Sequence, residues 1–237
     1  MTKGTAECEI SPPNRAQYRR PTQQRGRVRF EQLLDAAQEL IDQRGIEEIT
    51  LYDIAELAGV AASSVYHFFP TKQAVLVALV HRYRDAFKDI VLSPVDLSLV
   101  REWDDLLLLH LDRVRAIYNE DKTAMYLLLG PGMIWEVRLT DASNNDAIAE
   151  KIVEVFSRYF IFPARPDPVE IFSRGLSVLD SIWRLSVIRH LRITDELHHD
   201  ACNAMHAYLR SYLPKYLERT PAFKRAAPPE TDPFHNR

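Results

Sequence analysis

Residues 62–72, with the sequence ASSVYHFFPTK, combine small side chains with groups that form hydrogen bonds and one that carries a positive charge. The polar groups belong to Ser63, Ser64, Tyr66, His67 and Lys72. On a helix in the major groove, Ala62 can touch a thymine methyl, and Ser63 or His67 can reach a base edge. Ser64, Tyr66 and Lys72 are suited to phosphate oxygens. The segment predicts contacts with duplex DNA, and it contains no Gly-rich phosphate loop and no catalytic triad.

Two short helices joined by a glycine turn would present these side chains. Thr50 precedes an apolar helical pattern, and Asp53 stands three residues after it, which is typical of a capping box at a helix start. Gly59 can adopt the positive φ that ends this helix sharply. A second helix is predicted over residues 62–68. This arrangement is a helix-turn-helix, whose second helix enters the major groove with its first residues at the base edges.

A longer helix precedes this pair, and a fourth helix follows it. Helical spacing relates the apolar residues Phe30, Leu33, Leu34, Ala37, Leu40 and Ile41. Gly45 supplies a stop for this helix, while Pro70 breaks the chain and Thr71 caps the fourth helix. The core of the domain is predicted to include Val65, Phe68 and Phe69. We predict a DNA-binding domain over residues 25–72.

Strong positive charge is concentrated near the amino end. Six arginines and no acid occupy residues 14–29, whereas residues 30–90 carry 10 acids against 5 lysines or arginines. This pattern predicts a flexible arm whose Arg25, Arg27 and Arg29 lie in a minor groove, where negative potential is strongest in narrow A·T segments. The alternative is a solvated tail without a role in binding. Residues 1–24, which are polar and contain three prolines, are predicted to be disordered.

The stretch LLDAAQELIDQRGIEEITLYDIAELAGVAASSVYHFFPTKQAVLVAL resembles the DNA-binding domain of the TetR family of transcriptional regulators. The resemblance rests on the pattern T…IA..AGV, the aromatic run VYHFF and Lys72. This chain departs from the family at Ala61, where a serine is common, and at Ser63, where a glycine is common. The missing hydroxyl at Ala61 removes a phosphate contact. The resemblance adds Thr50 and Tyr52 to the predicted DNA-binding residues, with Tyr52 at a base-reading position.

The rest of the chain is also predicted to be helical. Helical patterns occur near residues 98–119, 121–137, 144–161, 167–191 and 194–217, and strand alternation is not convincing anywhere. With 46% hydrophobic residues and only 7 glycines, the chain is predicted to be all-α with about nine helices. The resemblance implies a helical ligand-binding and dimerisation domain, which we place at residues 73–219. Four prolines without periodicity predict a disordered tail over residues 220–237.

Large aromatic residues in this second domain suggest a pocket for a small apolar or aromatic effector, because such pockets are mostly apolar with a few polar groups. The broken helix at LLLGPGMIW would leave space beside them. The predicted lining is Trp103, Leu107, His110, Trp135, Phe156 and Trp183. Each aromatic taken singly is also compatible with an ordinary core position.

The resemblance also implies a homodimer in which the last two long helices pair in a four-helix bundle. Apolar stripes on these two helices agree with such an interface. The predicted interface residues are Phe172, Leu176, Leu179, Leu209 and Tyr212. Either stripe could instead face the core of its own domain.

The remaining features argue for no metal and no cofactor. His198, Cys202 and His206 share one helix face at spacings of four, but three ligands over two turns rarely converge on one tetrahedral ion. Two cysteines cannot form a disulfide framework, which together with the absence of a leader pattern predicts a cytoplasmic protein. The run AVLVALV is too short to span a membrane.

The sequence therefore predicts a ligand-responsive transcriptional regulator, most often a repressor in this family, that binds a pseudo-palindromic operator as a homodimer. One alternative is an architectural or interaction protein that binds DNA and uses its helical domain to bind protein. A helical enzyme is a further alternative, against which stands the lack of a nucleophile–base arrangement or clustered carboxylates.

Overall fold

The computed structural model describes residues 17–130, 135–163 and 166–226, and most of the described chain is helical. It forms α1 (Gln24–Arg44), α2 (Leu51–Leu57), α3 (Ala62–Phe68), α4 (Lys72–Leu92), α5 (Trp103–Glu120), α6 (Lys122–Leu129), α7 (Trp135–Phe156), α8 (Pro168–His190), α9 (Asp195–Arg210) and α10 (Pro221–Ala226). A 3-10 turn at Leu97–Leu99 precedes α5, and β1 (Phe160–Ile161) pairs with β2 (Glu218–Arg219). The predicted all-α class is confirmed, with ten α-helices in the described residues.

The chain divides into two compact units. The first unit comprises Met1–Tyr83, Lys122–Leu128 and Gly132–Ser143. The second unit comprises Arg84–Asp121, Leu129–Pro131 and Asn144–Arg237. Within the described residues, no helix is both long enough and apolar enough to cross a membrane.

In the first unit, α1 begins earlier than the arginine pattern suggests. Arg25, Arg27 and Arg29 lie within its first two turns, so they are helical and do not form the flexible arm predicted for them. Arginine is a good helix former, and the next residue, Phe30, is buried with its ring 5.0 Å from that of Phe69. The anchored aromatic therefore holds the arginine-bearing turns in the helix.

All of α6 except its last residue also belongs to the first unit. The buried side chain of Thr123 donates from Oγ1 to Oδ1 of Asp42 at 2.7 Å. A longer contact of 3.3 Å joins the same hydroxyl to the carbonyl of Gln38. Both partners lie on α1, so these hydrogen bonds tie the start of α6 to that helix.

In the second unit, α8 and α9 pack closely because Gly175 has no side chain. A Cβ built at Gly175 would lie 3.3 Å from Leu209 Cδ2 and from Met205 Cε. Helix α9 ends at Arg210, earlier than the predicted limit of residue 217. Pro214 explains the difference, since proline lacks the N–H needed for a helical hydrogen bond and disfavours helix before it.

The last described segment folds back on the second unit. Phe160 pairs with Arg219 and Ile161 with Glu218 in antiparallel register, although sequence alternation had indicated no strand. Helix α10 then forms at residues where a disordered tail was predicted. The buried Phe223 ring lies 5.4 Å from Phe160, so burial of two aromatics orders a segment whose composition alone did not predict helix.

Candidate functional site

The helix-turn-helix is shaped by two local features of α2. The Asp53 N–H donates to Thr50 Oγ1 at 3.2 Å, and the Asp53 carboxylate accepts from the Thr50 N–H at 2.8 Å. This pair is the predicted capping box, which is confirmed. After α2, Gly59 adopts a φ of 64°, a left-handed conformation that strains other residues. The turn is thereby defined before α3 begins at Ala62.

Helix α3 has one buried face and one polar face. Val65 and Phe68 are buried, as is Phe69 directly after the helix, which confirms their predicted core positions. The side chains on the other face are exposed at Ser63, Tyr66 and His67 and half-buried at Ala62 and Ser64. The hydroxyl, phenol and imidazole groups are thus available to an external partner, while the small residues permit close approach.

Tyr52 on α2 and Tyr66 on α3 form an exposed aromatic pair. Their ring centroids are 6.0 Å apart at an interplanar angle of 73°, and 65% and 44% of the two residues are exposed. Desolvation, with a hydrogen bond to Tyr52, raises the pKa of Tyr66 above its usual value. The Tyr66 phenol therefore stays protonated at neutral pH and can donate a hydrogen bond to a phosphate oxygen.

Two of the predicted contacts are engaged within the protein. Lys72 Nζ donates to the carbonyls of Ile46 and Glu47, each at 3.1 Å, so its ammonium group stabilises the connection between α1 and α2. Thr50 serves as the cap of α2. The predicted contacts of Lys72 with phosphate and of Thr50 with DNA stay predictions.

The three arginines of α1 are exposed, but they do not share one face. Arg25 and Arg29 are four residues apart and lie on the same side of the helix, whereas Arg27 points elsewhere. Arg29 Nη1 makes a long contact of 3.5 Å with Ser64 Oγ, which brings the first turns of α1 beside α3. Contact of these arginines with DNA stays a prediction.

Tyr18 and Arg19 were not among the predicted site residues, although they lie beside α3. The Arg19 N–H donates to the Phe68 carbonyl at 2.9 Å, and the Tyr18 hydroxyl lies 2.7 Å from His81 Nδ1. The one sequence signal was a single tyrosine among prolines and arginines. That signal is weak, because the partners of Arg19 and Tyr18 lie about fifty and sixty positions further along the chain and no local pattern points to them.

Five of the six predicted effector residues belong to the second unit and are buried. They are Trp103, Leu107, His110, Phe156 and Trp183. The side chain of the remaining one, Trp135, lies outside the described residues. The His110 and Phe156 rings are 6.0 Å apart, whereas the Trp183 ring contacts Tyr118 at 5.8 Å and stacks on His198 at 5.7 Å.

Trp103 differs from Trp183 in how its polar atom is satisfied. Trp103 Nε1 donates to the carbonyl of Pro214 at 3.1 Å, and its ring lies 5.6 Å from that of His206. Trp103 therefore has the environment of a structural core residue. Within the described residues, Trp183 Nε1 has no hydrogen-bond partner although it is buried.

His110 is a second buried group with unused hydrogen-bonding capacity. Neither of its ring nitrogens has a partner within the described residues. Burial, assisted by the positive charge of Arg113, lowers the pKa of His110 to about 4, so the imidazole is neutral at physiological pH. A buried polar group without a partner costs about 1–3 kcal/mol. A polar atom of a bound molecule would remove that cost at His110 or Trp183.

In the set of His198, Cys202 and His206, each histidine lies beside a carboxylate outside the set. His198 Nε2 lies 2.8 Å from Asp112 Oδ1, and His206 Nε2 lies 3.2 Å from Asp104 Oδ2. Burial raises the pKa of the Cys202 thiol to about 12, so the thiol is protonated at neutral pH. No group of three potential ligands in the described residues has the geometry for a metal ion.

The residues predicted for the dimer interface lie mostly in the core of the second unit. Those buried within the chain itself are Phe172, Leu176, Leu179 and Leu209. Tyr212 is 40% exposed. These apolar stripes of α8 and α9 therefore face the core of their own domain, which is the alternative given above to a dimer interface.

Comparison with known proteins agrees with this architecture. The model of the bacterial regulatory proteins of the tetR family matches residues 33–79, which span α2, α3 and most of α1. The HTH-type transcriptional repressor KstR2 of Rhodococcus jostii (strain RHA1) is 33% identical over 69 residues. That alignment covers 27% of this chain and 34% of the relative, so the chain matches about a third of the relative's length.

Solved structures show the same fold over more of the chain. A TetR-family transcriptional regulator from Streptomyces coelicolor has a TM-score of 0.61 at 19% identity, covering 79% of this chain and 99% of the other. Thermus thermophilus FadR, a TetR-family repressor solved with lauroyl-CoA, has a TM-score of 0.53 at 20% identity, covering 81% and 96%.

The fold and the match together define an all-α protein with an N-terminal helix-turn-helix domain followed by a helical domain. Residues 33–79 of that N-terminal domain are similar to the tetR family of bacterial regulatory proteins.

Proposed function

We propose that this protein is a transcriptional repressor that binds a pseudo-palindromic operator as a homodimer and responds to a small molecule. The observation that carries the proposal is the two-sided α3, with Val65 and Phe68 buried and Ser63, Tyr66 and His67 exposed beside the exposed Tyr52. A helix of this kind after a tight turn matches the recognition helix of a helix-turn-helix. The related KstR2 is named a repressor. Action on operator DNA implies a cytoplasmic location.

The proposed effector is an uncharged, mainly apolar molecule with a hydrogen-bonding group. His110, whose ring lies near Phe156, and Trp183, whose ring lies near Tyr118, would supply its polar contacts. A neutral imidazole does not attract a carboxylate, and the indole N–H can only donate, so an acceptor such as an ester, amide or ketone oxygen fits best. Thermus thermophilus FadR, whose fold is similar, was solved in complex with lauroyl-CoA.

The proposed dimer face lies beside the predicted stripe. Val178, Ile182 and Leu185 recur at spacings of four and three on α8, where Leu185 is exposed and the other two are half-buried. Tyr212, just after α9, is exposed as well. Leu185→Asp should therefore yield a monomer by light scattering, whereas Leu108→Asp, at an exposed leucine of α5, should leave the dimer intact.

Operator binding is tested by selecting duplexes from a random pool with the purified full chain. We expect enrichment of two inverted half-sites, because a two-fold dimer presents two copies of α3. His67→Ala and Ser63→Ala should change preference at particular base pairs by about 1–3 kcal/mol. Tyr66→Phe should weaken all duplexes by similar amounts, since phosphates carry little sequence information. A pool without enrichment above non-specific binding would refute a sequence-specific repressor.

The response to an effector is tested separately on the bound complex. Uncharged esters, amides and ketones with apolar chains should raise the thermal stability of the protein and alter its affinity for the selected duplex, and the matching free carboxylic acids should do so much less. A Trp183→Phe variant should lose part of the stabilisation. If the carboxylic acids were the stronger ligands, the assignment of a neutral effector would be wrong while operator binding would stand.

A further inference from the structure

The polypeptide before α1 forms one wall of a cleft beside the recognition helix. The cleft has a volume of about 320 Å³. Its lining residues are Gln17, Tyr18, Arg19, Tyr66, His67 and Pro70. The two members from α3 are among the exposed residues that the proposed function assigns to DNA, so the cleft adjoins that surface.

The segment is held in this place by Tyr18. Its ring lies 5.6 Å from Phe30 on α1 and 6.2 Å from Phe69 after α3, as measured between centroids. Its hydroxyl is 2.7 Å from Nδ1 of His81 on α4. A single side chain thus joins the segment to three parts of the first unit, which fixes the position of the residue that follows.

Arg19 uses its backbone and its side chain in different ways. Its N–H donates at 2.9 Å to the carbonyl of Phe68, one of the carbonyls at the end of α3 that the helix itself leaves without a partner. Arg19 is exposed and lines the cleft together with Tyr66 and His67. The backbone contact therefore holds Arg19 at the end of the recognition helix.

The chemistry of the lining favours an anion. Arginine is always charged and presents several N–H donors in a planar fork that matches a phosphate. Gln17, Tyr66 and His67 add groups able to donate hydrogen bonds, and the lining contains no acid. An oxyanion is therefore the ligand that this set recognises best.

We propose that the cleft binds a phosphate of the DNA backbone, and that Tyr18 and Arg19 form a docked extension of the recognition helix. The inference rests on the proposed operator binding, since a backbone phosphate reaches the cleft only when α3 lies on the duplex. Arg19 supplies the charge, Tyr66 and His67 orient the phosphate, and Tyr18 positions Arg19. The extension would therefore raise affinity for every sequence without contributing base preference.

Arg19→Ala and Arg20→Ala form a matched pair for the test, because each removes one positive charge from adjacent positions. Arg20 is not among the residues that line the cleft. Its Nε donates to the Tyr18 hydroxyl at 3.0 Å and its guanidinium lies 5.8 Å from the Tyr18 ring centroid. Neither arginine is buried, so both variants should fold. Affinity for the selected duplex is measured for each variant between about 50 and 200 mM salt, a range in which phosphate contacts dominate.

We expect Arg19→Ala to weaken binding about tenfold or more at low salt and to reduce the salt slope by about 0.9 for each phosphate that the variant no longer neutralises. Arg20→Ala should change the slope by clearly less. Tyr18→Ala should resemble Arg19→Ala, with its fold checked by circular dichroism. Equal effects of Arg19→Ala and Arg20→Ala would overturn the inference, because general electrostatics would then explain both.

Two further outcomes distinguish a failure of the proposed function from a failure of the cleft assignment. If the wild-type chain binds no duplex specifically, the proposed function itself fails. If inorganic phosphate shifts the His67 ring signals in a nuclear magnetic resonance titration while Arg19→Ala leaves duplex affinity unchanged, the cleft holds a free anion and the DNA assignment is overturned. Shifts on adding duplex that disappear in Arg19→Ala would support the assignment.

Discussion

The polar groups of α3 are exposed, whereas two polar groups of the second unit are buried. Ser63, Tyr66 and His67 stand in water, where an unbound hydroxyl or imidazole has solvent as a partner. His110 and Trp183 are buried and have no partner within the described residues. The exposed groups proposed to read DNA can therefore be kept at little cost, whereas the buried groups proposed to bind an effector lower the stability of the free protein for as long as they have no partner.

This difference predicts which substitutions the fold tolerates. Trp103→Ala should lower the free energy of unfolding by about 3–5 kcal/mol, because it removes a fully buried indole and leaves a cavity. Ser63→Ala, on the exposed face of α3, should change it by less than about 0.5 kcal/mol. Urea titrations followed by circular dichroism measure both. Similar losses of unfolding free energy for the two variants would contradict the difference between surface and interior positions.

The stability of the second unit should depend on pH, since the folded protein keeps the buried His110 neutral. A pKa lowered from 6.5 to about 4 means that, as pH falls below 6.5, the unfolded chain binds a proton that the folded chain excludes. The free energy of unfolding is therefore highest, with respect to His110, above pH 6.5. It falls progressively towards pH 4, where the loss approaches about 3 kcal/mol. The difference in unfolding free energy between wild type and His110→Gln should show this slope. A constant difference from about pH 7 to pH 4 would contradict it.

Lys72 tests whether a predicted DNA contact has a structural role. Lys72→Met removes two charge-assisted hydrogen bonds to the carbonyls of Ile46 and Glu47 and should cost about 1–2 kcal/mol of stability. Lys88→Met, whose exposed partner Asp85 is 3.4 Å away, is the control and should cost less than about 0.5 kcal/mol. If Lys72→Met weakened DNA binding without any loss of stability, the lysine would act as a phosphate contact.

The smallest effect concerns the two indoles. Trp103→Phe and Trp183→Phe remove the same atoms, but only Trp103 donates its N–H, to Pro214. The hydrogen bond should make Trp103→Phe the more destabilising by about 1 kcal/mol in the absence of ligand. Thermal unfolding of both variants measures the difference. A larger loss at Trp183 would show that its N–H is satisfied in the free protein.

Much of the first unit could be predicted because its determinants are local. The capping box of Thr50 and Asp53, the glycine at position 59 and the buried spacing of Val65 and Phe68 all act within a few residues. The assignment of Arg25–Arg29 to a flexible arm was wrong because charge composition does not show that Phe30 is anchored by Phe69, thirty-nine positions away in the sequence.

The apolar pattern of α8 and α9 showed which residues avoid water but not what covers them. Leu209 and Leu179 are as apolar as an interface would require, yet the close approach permitted by Gly175 lets α8 and α9 bury such residues within the chain. A stripe is consistent with either outcome, because burial of apolar area is favourable whichever surface removes it from water.

By itself, the sequence determined the helical class, the helix-turn-helix and its likeness to the tetR family, since all of these depend on periodicity, caps and a short run of residues. Only the tertiary structure decided which polar groups have partners. Trp103 and Trp183 are the same residue type in similar apolar surroundings, but the carbonyl that satisfies Trp103 belongs to Pro214, 111 positions along the chain. A contact of that range depends on how several helices pack, and no local pattern encodes it.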